Sequence, residues 1–432
     1  MAVSVGNFVK KSDGTGQQTF AHGLGTTPKA LILASTRNTA AGSYTSNLFQ
    51  CFGFTDGTSS FCVTQYDDGA AATQNSSSGR SDTLFYQVTT DNNVDANAAF
   101  VSWDATNVTI NWTANTAVAA IVGFIAIGGT PARAKVTTYN TGTATGALSI
   151  TGVGFLPAAA IHIHDGREST TVPQAVAHAG FGIGVAAGNG QWYLYGRGVD
   201  AGTFGVYKGL SDNDAILIKC DSNALVDGQI SHTAFTTDGE TVNREVATSA
   251  SMTVGVLFLA GIQLDAASFS KSTNTSVPVA QNVAASFLST AVLTATDSKI
   301  SGALPADLRI AVGFSNGTNE YTTSSVAIDS TDPTETFSFT STTKGIVLSD
   351  NTTPTTTAEA DVSFSSNTIT YTWTTNDADA HRLRVLAFGA ESGSKGTGGK
   401  GKGGNHPGPG EPPKKPLRTS LSKSWKWDRG WR

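Results

Sequence analysis

The sequence predicts an all-β protein: three tandem β-sandwich or jelly-roll-like domains followed by an extended C-terminal arm. Three observations predict it. Only 14% of the 432 residues are charged, well below the roughly 25% of an ordinary soluble domain. Thr, Ser, Asn and Gly hold the polar positions instead, and helix formers such as Lys, Glu and Leu are scarce. Runs such as Val108/Ile110/Trp112 and Ile369/Tyr371/Trp373 alternate with period two, placing apolar side chains on one strand face. The third observation is internal repetition, which decides architecture before any motif does.

Four landmarks recur three times in the same order. An apolar strand opens each third: Pro28-Lys29-Ala30-Leu31, Pro157-Ala158-Ala159-Ala160 and Ser289-Thr290-Ala291-Val292. A Gly-Phe pair follows, at Gly53-Phe54, Gly180-Phe181 and Gly313-Phe314. Next comes a hairpin signature, Phe100-Val101-Ser102-Trp103 with Ile110-Asn111-Trp112 in the first repeat and Phe364 with Ile369-Thr370-Tyr371-Thr372-Trp373 in the third. The second has a weaker form around His232–Phe235 and Val242. An apolar strand then runs to a closing glycine at Gly128, Gly261 or Gly389. A period near 130 residues is far longer than the ~20–50 of a solenoid unit, so each repeat is expected to bury its own core. Gly, Asn, Asp and Ser clusters between short strands mark the turns.

Domain boundaries follow the closing glycines, at 1–130, 131–265 and 266–390, with a Ser/Thr/Asn stretch at 268–276 as the second separator. Residues 391–432 differ abruptly: a Gly/Lys linker, a Pro-rich segment and a terminal peptide with Trp425, Trp427 and Trp431. Ten Lys/Arg and three acids give this arm a net charge of +7, which leaves −12 on residues 1–390.

Several classes are excluded at this level. The longest apolar runs, such as 117–127, are too short and Gly-broken for the ~20 residues of a membrane helix, so no membrane association is expected. The first residues lack the basic and apolar regions of a secretory signal. Cys51, Cys62 and Cys220 form neither a disulfide framework nor a zinc knuckle, which fits assembly in a reducing cytoplasm. No nucleophile elbow, zincin helix or phosphate loop is present, so no enzymatic activity and no cofactor are expected.

Three groups of residues could carry binding. The arm is the strongest: Trp and Arg dominate binding hot spots, and Trp425, Trp427 and Trp431 with Lys423, Lys426, Arg429 and Arg432 suit an anchor on an acidic partner. At +7 over some forty residues, nucleic-acid binding is the weaker interpretation. His162 and His164 stand at i and i+2, so a strand would turn both imidazoles to one side, where they could share a metal ion or simply form a polar face. Trp192, Tyr193, Tyr195 and Arg197 could stack on a sugar or a partner, although a plain strand with one aromatic pair in the core accounts for them better.

The Gly-Phe-Leu-Pro-Ala-Ala lead-in (154–159), the Gly-Phe strand and the Trp-bearing hairpin resemble modules of structural proteins from tailed bacteriophages, over residues 1–390 but not the arm. The resemblance implies a surface-exposed virion component assembled in the host cytoplasm, with other virion proteins, capsid or tail, as partners and copies arranged as a homo-oligomer. It leaves open capsid decoration, tail association, or a fibre-like adhesin whose loops bind a host surface glycan.

Overall fold

The computed structural model describes residues 2–68, 76–89, 92–177, 180–188, 190–199, 206–212, 214–220, 226–300, 308–328, 336–350 and 353–389. Every regular element of appreciable length among them is a strand, as the Thr- and Val-rich alternation requires.

Repeat 1 comprises β1 (Ala2–Val9), β2 (Gly16–Ala21), β3 (Pro28–Ser35), β4 (Tyr44–Ser46), β5 (Leu48–Thr55), β6 (Ser60–Asp67), β7 (Ser76–Ser81), β8 (Phe85–Val88), β9 (Val94–Trp103), β10 (Asn107–Ala114) and β11 (Ile121–Gly128). Repeat 2 runs through β12 (Arg133–Asn140), β13 (Gly146–Ile150), β14 (Ala159–His164), β15 (Gln174–Ala177), β16 (Gly180–Ala187), β17 (Gly190–Val199), β18 (Val206–Asp212), β19 (Leu217–Cys220), β20 (Val226–Thr236), β21 (Gly239–Val246) and β22 (Thr253–Ala260). Repeat 3 holds β23 (Gln263–Ser270), β24 (Val279–Ala284), β25 (Ser289–Ile300), β26 (Leu308–Ser315), β27 (Glu320–Ala327), β28 (Thr336–Ser341), β29 (Ile346–Ser349), β30 (Thr356–Ser365), β31 (Thr368–Thr375) and β32 (His381–Gly389).

Each repeat packs a large sheet on a four-stranded one. The large-sheet orders β1-β11-β3-β5-β6-β7, β12-β22-β14-β16-β17-β18 and β23-β32-β25-β26-β27-β28 are the same path, and so are β2-β10-β9-β8, β13-β21-β20-β19 and β24-β31-β30-β29. β23 begins at Gln263, just after the closing Gly261, so it spans the boundary expected between residues 265 and 266, and residues 268–270 are strand, not separator. Registers also correct one landmark. Gly53 and Gly313 press against the carbonyls of Leu84 and Gly345, and the residue that meets the matching carbonyl, Ile216, is Gly184 rather than Gly180. Gly184-Val185 is therefore the equivalent of Gly53-Phe54. The Gly180-Phe181 match in the sequence arose from composition alone.

The expectation of one core per repeat holds only for one face of each large sheet. Leu31, Leu33, Cys51 and Phe124 point into repeat 1's own sandwich, while their neighbours Ile32, Phe52, Phe54 and Ile125 turn outward. These outward residues join Ile161, Ile183 and Leu194 of repeat 2 and Leu293, Ile310 and Phe388 of repeat 3 in one common core. Period-two alternation thus serves two apolar interiors at once. At about 1.5–3 kcal/mol per fully buried large apolar side chain, the shared core couples the repeats strongly.

Contacts between repeats run in a closed cycle. Phe54↔Phe61, Val185↔Trp192 and Phe314↔Tyr321 are matching pairs, and the second aromatic of each reaches the next repeat. The Phe61 ring lies where a Cβ on Gly255 of repeat 2 would be. Trp192 donates its indole N–H to the Val385 carbonyl of repeat 3 at 3.0 Å. The Tyr321 ring fills the space beside Gly123 of repeat 1 and donates to the Ile121 carbonyl at 3.1 Å. Only glycine permits that approach at 123 and 255.

Strand exchange adds a second tie. β15 of repeat 2 extends repeat 1's large sheet beside β7, and β4 of repeat 1 extends repeat 3's beside β28. Each guest strand covers an edge that would otherwise be open to aberrant pairing.

Candidate functional site

The arm residues Lys423, Trp425, Lys426, Trp427, Arg429, Trp431 and Arg432 lie outside the described residues. The other candidates can be placed.

His162 and His164 do project from one face of β14, into the sandwich of repeat 2, and both are fully buried. They do not converge on a shared point. The Nδ1 of His162 meets the Tyr139 hydroxyl at 3.3 Å and its Nε2 stands 3.1 Å from Glu240. His164 stacks on Tyr195 with ring centroids 5.2 Å apart, accepts the Gly166 N–H at Nδ1 and keeps Nε2 against Gly182. Tyr139 and Glu240 beside one ring and Tyr195 on the other make the pair part of a buried polar cluster. Burial, then the neighbouring His162, pushes the His164 pKa down to about 3, so that ring is neutral. Glu240 also takes His232 at 2.6 Å. Burial works against its carboxylate, yet the two imidazoles outweigh it and hold the pKa below the usual range.

The aromatic run is a strand interior, which removes it as a glycan surface. Trp192 and Leu194 of β17 enter the common core, while Tyr193 and Tyr195 enter repeat 2's own sandwich with Ala215 and Ile218. Both faces are buried because the large sheet is covered on both sides, while Arg197 beside them keeps partial exposure.

Among the described residues, two open grooves lie at the end of the repeats where their large-sheet hairpins turn. A groove of about 400 Å³ lies between 288–290, the β26–β27 turn at Asn316–Thr318 and Phe364. A second, of about 370 Å³, is lined by Ala158, Gly188, Phe235, Leu264 and Phe287, at the junction of repeats 2 and 3. Leu156 and Leu288, at matching positions, are 57% and 55% exposed beside them. In repeat 1 the corresponding turn glycine, Gly57, lies under the Trp103 ring. Glu320 anchors the groove turn, accepting from Ser315 at 3.0 Å and from the Val362 N–H at 2.7 Å. Burial nevertheless pushes its pKa up to about 7. β32 ends at Gly389 under Phe287.

Sequence reasoning missed two groups. Arg80, fully buried on β7, pairs with buried Asp165 of repeat 2 at 2.6 Å and donates to the carbonyls of Ser169 and Thr171 and to Gln174. Nothing local announces it, because the partners are about 90 residues away. Among the described residues, the side chains grouped closely enough to hold a metal ion are Asp377, Asp379 and His381. The D-x-D-x-H spacing was visible but fell in a turn-like stretch.

The fold and its surfaces define an all-β protein in which one chain closes a three-membered cycle of sandwiches. No protein-family model, curated protein or solved structure matches the chain.

Proposed function

We propose that the protein is a non-enzymatic structural component of a tailed-bacteriophage virion, exposed at the particle surface as capsid decoration or a tail-associated part and anchored by its C-terminal arm. One observation carries most of this reading: a closed cycle of three equivalent sandwiches on a single chain that continues into a basic, Trp-rich arm. Such a body suits a site of local threefold symmetry on a particle built of repeated subunits. The arm's Trp and Arg residues supply the hot-spot chemistry for an acidic neighbouring subunit. Truncation after Ser394 tests it: the shortened protein keeps its unfolding transition but is lost from particles. Incorporation at the normal level would overturn the anchor.

A second reading, a fibre-like adhesin for a host surface glycan, is favoured by the two grooves, whose half-buried Phe235 and Phe364 offer aromatic faces to a sugar ring. Retention of Phe364→Ala protein on host envelopes at the wild-type level would remove that reading.

A further inference from the structure

The connection from β31 to β32 reads Asn376-Asp377-Ala378-Asp379-Ala380-His381. A carboxylate oxygen from each aspartate and a ring nitrogen of His381 lie within 4.8 Å of one another. The equivalent connections contain none of these donors. Backbone bonds from Lys10 to Ala120, Thr141 to Met252 and Lys271 to His381 align the three loops. That alignment sets Thr116, Val118 and Ala120 of repeat 1, and Thr248, Ala250 and Met252 of repeat 2, opposite Asp377, Asp379 and His381. The loop therefore closes without carboxylates or imidazole, and their presence in repeat 3 needs another reason.

His381 supplies an independent one. It is 1% exposed, its Nε2 has no hydrogen-bond partner, and that atom faces Asp379 Oδ2 at 4.0 Å. Asp377 Oδ1 is engaged by Lys271 at 2.8 Å and by the Asp379 N–H at 3.0 Å. A buried polar atom left unpaired costs about 1–3 kcal/mol.

We propose that Asp377, Asp379 and His381 bind a divalent transition-metal ion of the zinc class. One imidazole nitrogen with two carboxylate oxygens is a donor set that zinc accepts at about 2.0–2.2 Å, whereas calcium and magnesium prefer all-oxygen shells. Closure to those distances needs the three donors to draw together, and Asp379, 51% exposed, is free to move. Lys271 does not occupy the site: besides Asp377 Oδ1, the carbonyls of Ser272 and Asp377 and the Asn376 side chain hold its ammonium, as Thr116 and Asn115 hold Lys10 in repeat 1. Bound metal would pin the loop to the start of β32 and stabilise the fold by mass action.

The test is calorimetric titration of metal-stripped, full-length protein with zinc chloride, alongside thermal unfolding with and without the ion. One saturable site and a raised unfolding temperature are expected, with binding weakened more than about ten-fold in Asp379→Asn. That variant alters a half-exposed side chain, and its metal-free unfolding temperature should match the wild type. His381→Gln should lose binding as well, and cobalt(II) should give a visible absorption band only where Asp379 and His381 are intact. Absence of saturable binding, equal affinity in Asp379→Asn, or calcium binding as tight as zinc would each overturn the proposal.

Discussion

Repeat 3 and repeat 2 fill the same sandwich in opposite ways. In repeat 3, Trp373 pairs across from Val279 and lies under the Lys271 ammonium, 5.7 Å from the ring, as Trp112 pairs with Gly16 under Lys10 in repeat 1. The register places Arg244 of repeat 2, opposite Gly146, where those tryptophans stand, and Thr141 where the lysines stand. Arg244 donates to the carbonyls of Gly146 and Thr141 at 3.1 Å each. Glu240 likewise replaces Val108 and Ile369, and His162 faces it from the position of Leu33 and Thr294. Strand order is unchanged, so backbone pairing and the common core hold the shape. A sandwich interior can turn polar provided each new group finds a partner.

The seams differ in the same sense. Thr36 of repeat 1 meets Thr340 of repeat 3 at 2.6 Å beside guest strand β4, whereas at the matching seam beside β15 the contact is the buried ion pair Arg80–Asp165. Breaking a buried pair strands a charge, while trimming a neutral one does not.

Arg80→Ala should cost about 3–5 kcal/mol in denaturant unfolding and expose β15 to hydrogen exchange. Thr340→Val at the neutral seam should cost only about 1 kcal/mol; equal losses would show that charge does not distinguish the seams. Trp373→Ala should cost about 3–5 kcal/mol through lost burial and a cavity, against about 1 kcal/mol for the hydrogen bonds lost in Arg244→Ala. A reversed order would mean that the polar sandwich, not the aromatic one, sustains the fold.

The folded-state pKa of His164 is depressed to about 3. Its contribution is therefore intact above the unfolded value near 6.5 and falls as pH drops from there toward 3. His164→Phe should flatten that part of the stability profile in repeat 2. Glu320 acts in the opposite direction. With its pKa raised to about 7, its contribution is fully present below the unfolded value near 4.5 and is lost as pH rises through 7. Glu320→Gln should remove the decline between those values, read as the pH dependence of the unfolding temperature.

Much of the fold was legible because β alternation and repetition are local or nearly so. The opening strands, the Trp hairpins of repeats 1 and 3 and the closing strands appear where their residues suggested. Repeat 2's hairpin was faint because Glu240 and Arg244 replace the apolar residues that announce it. The Gly180-Phe181 match failed because a dipeptide carries no register, and contact with a carbonyl of the other sheet reveals Gly184 instead. The Trp192–Tyr195 run was legible as a strand with one aromatic pair in a core, but not as one buried on both faces, because the surface that covers its second face belongs to another repeat.

The sequence by itself determined the strand class, the threefold repetition and the separation of an acidic body from a basic arm, since these follow from composition and spacing. Tertiary structure alone decided that the three large sheets share one core, that β4 and β15 cross to neighbouring repeats, that Arg80 meets Asp165, and that Asp377, Asp379 and His381 gather around one point. The reason is physical: an alternating strand specifies that both faces are apolar, but which surface covers each face depends on partners a hundred or more residues away, and only the folded chain brings them together.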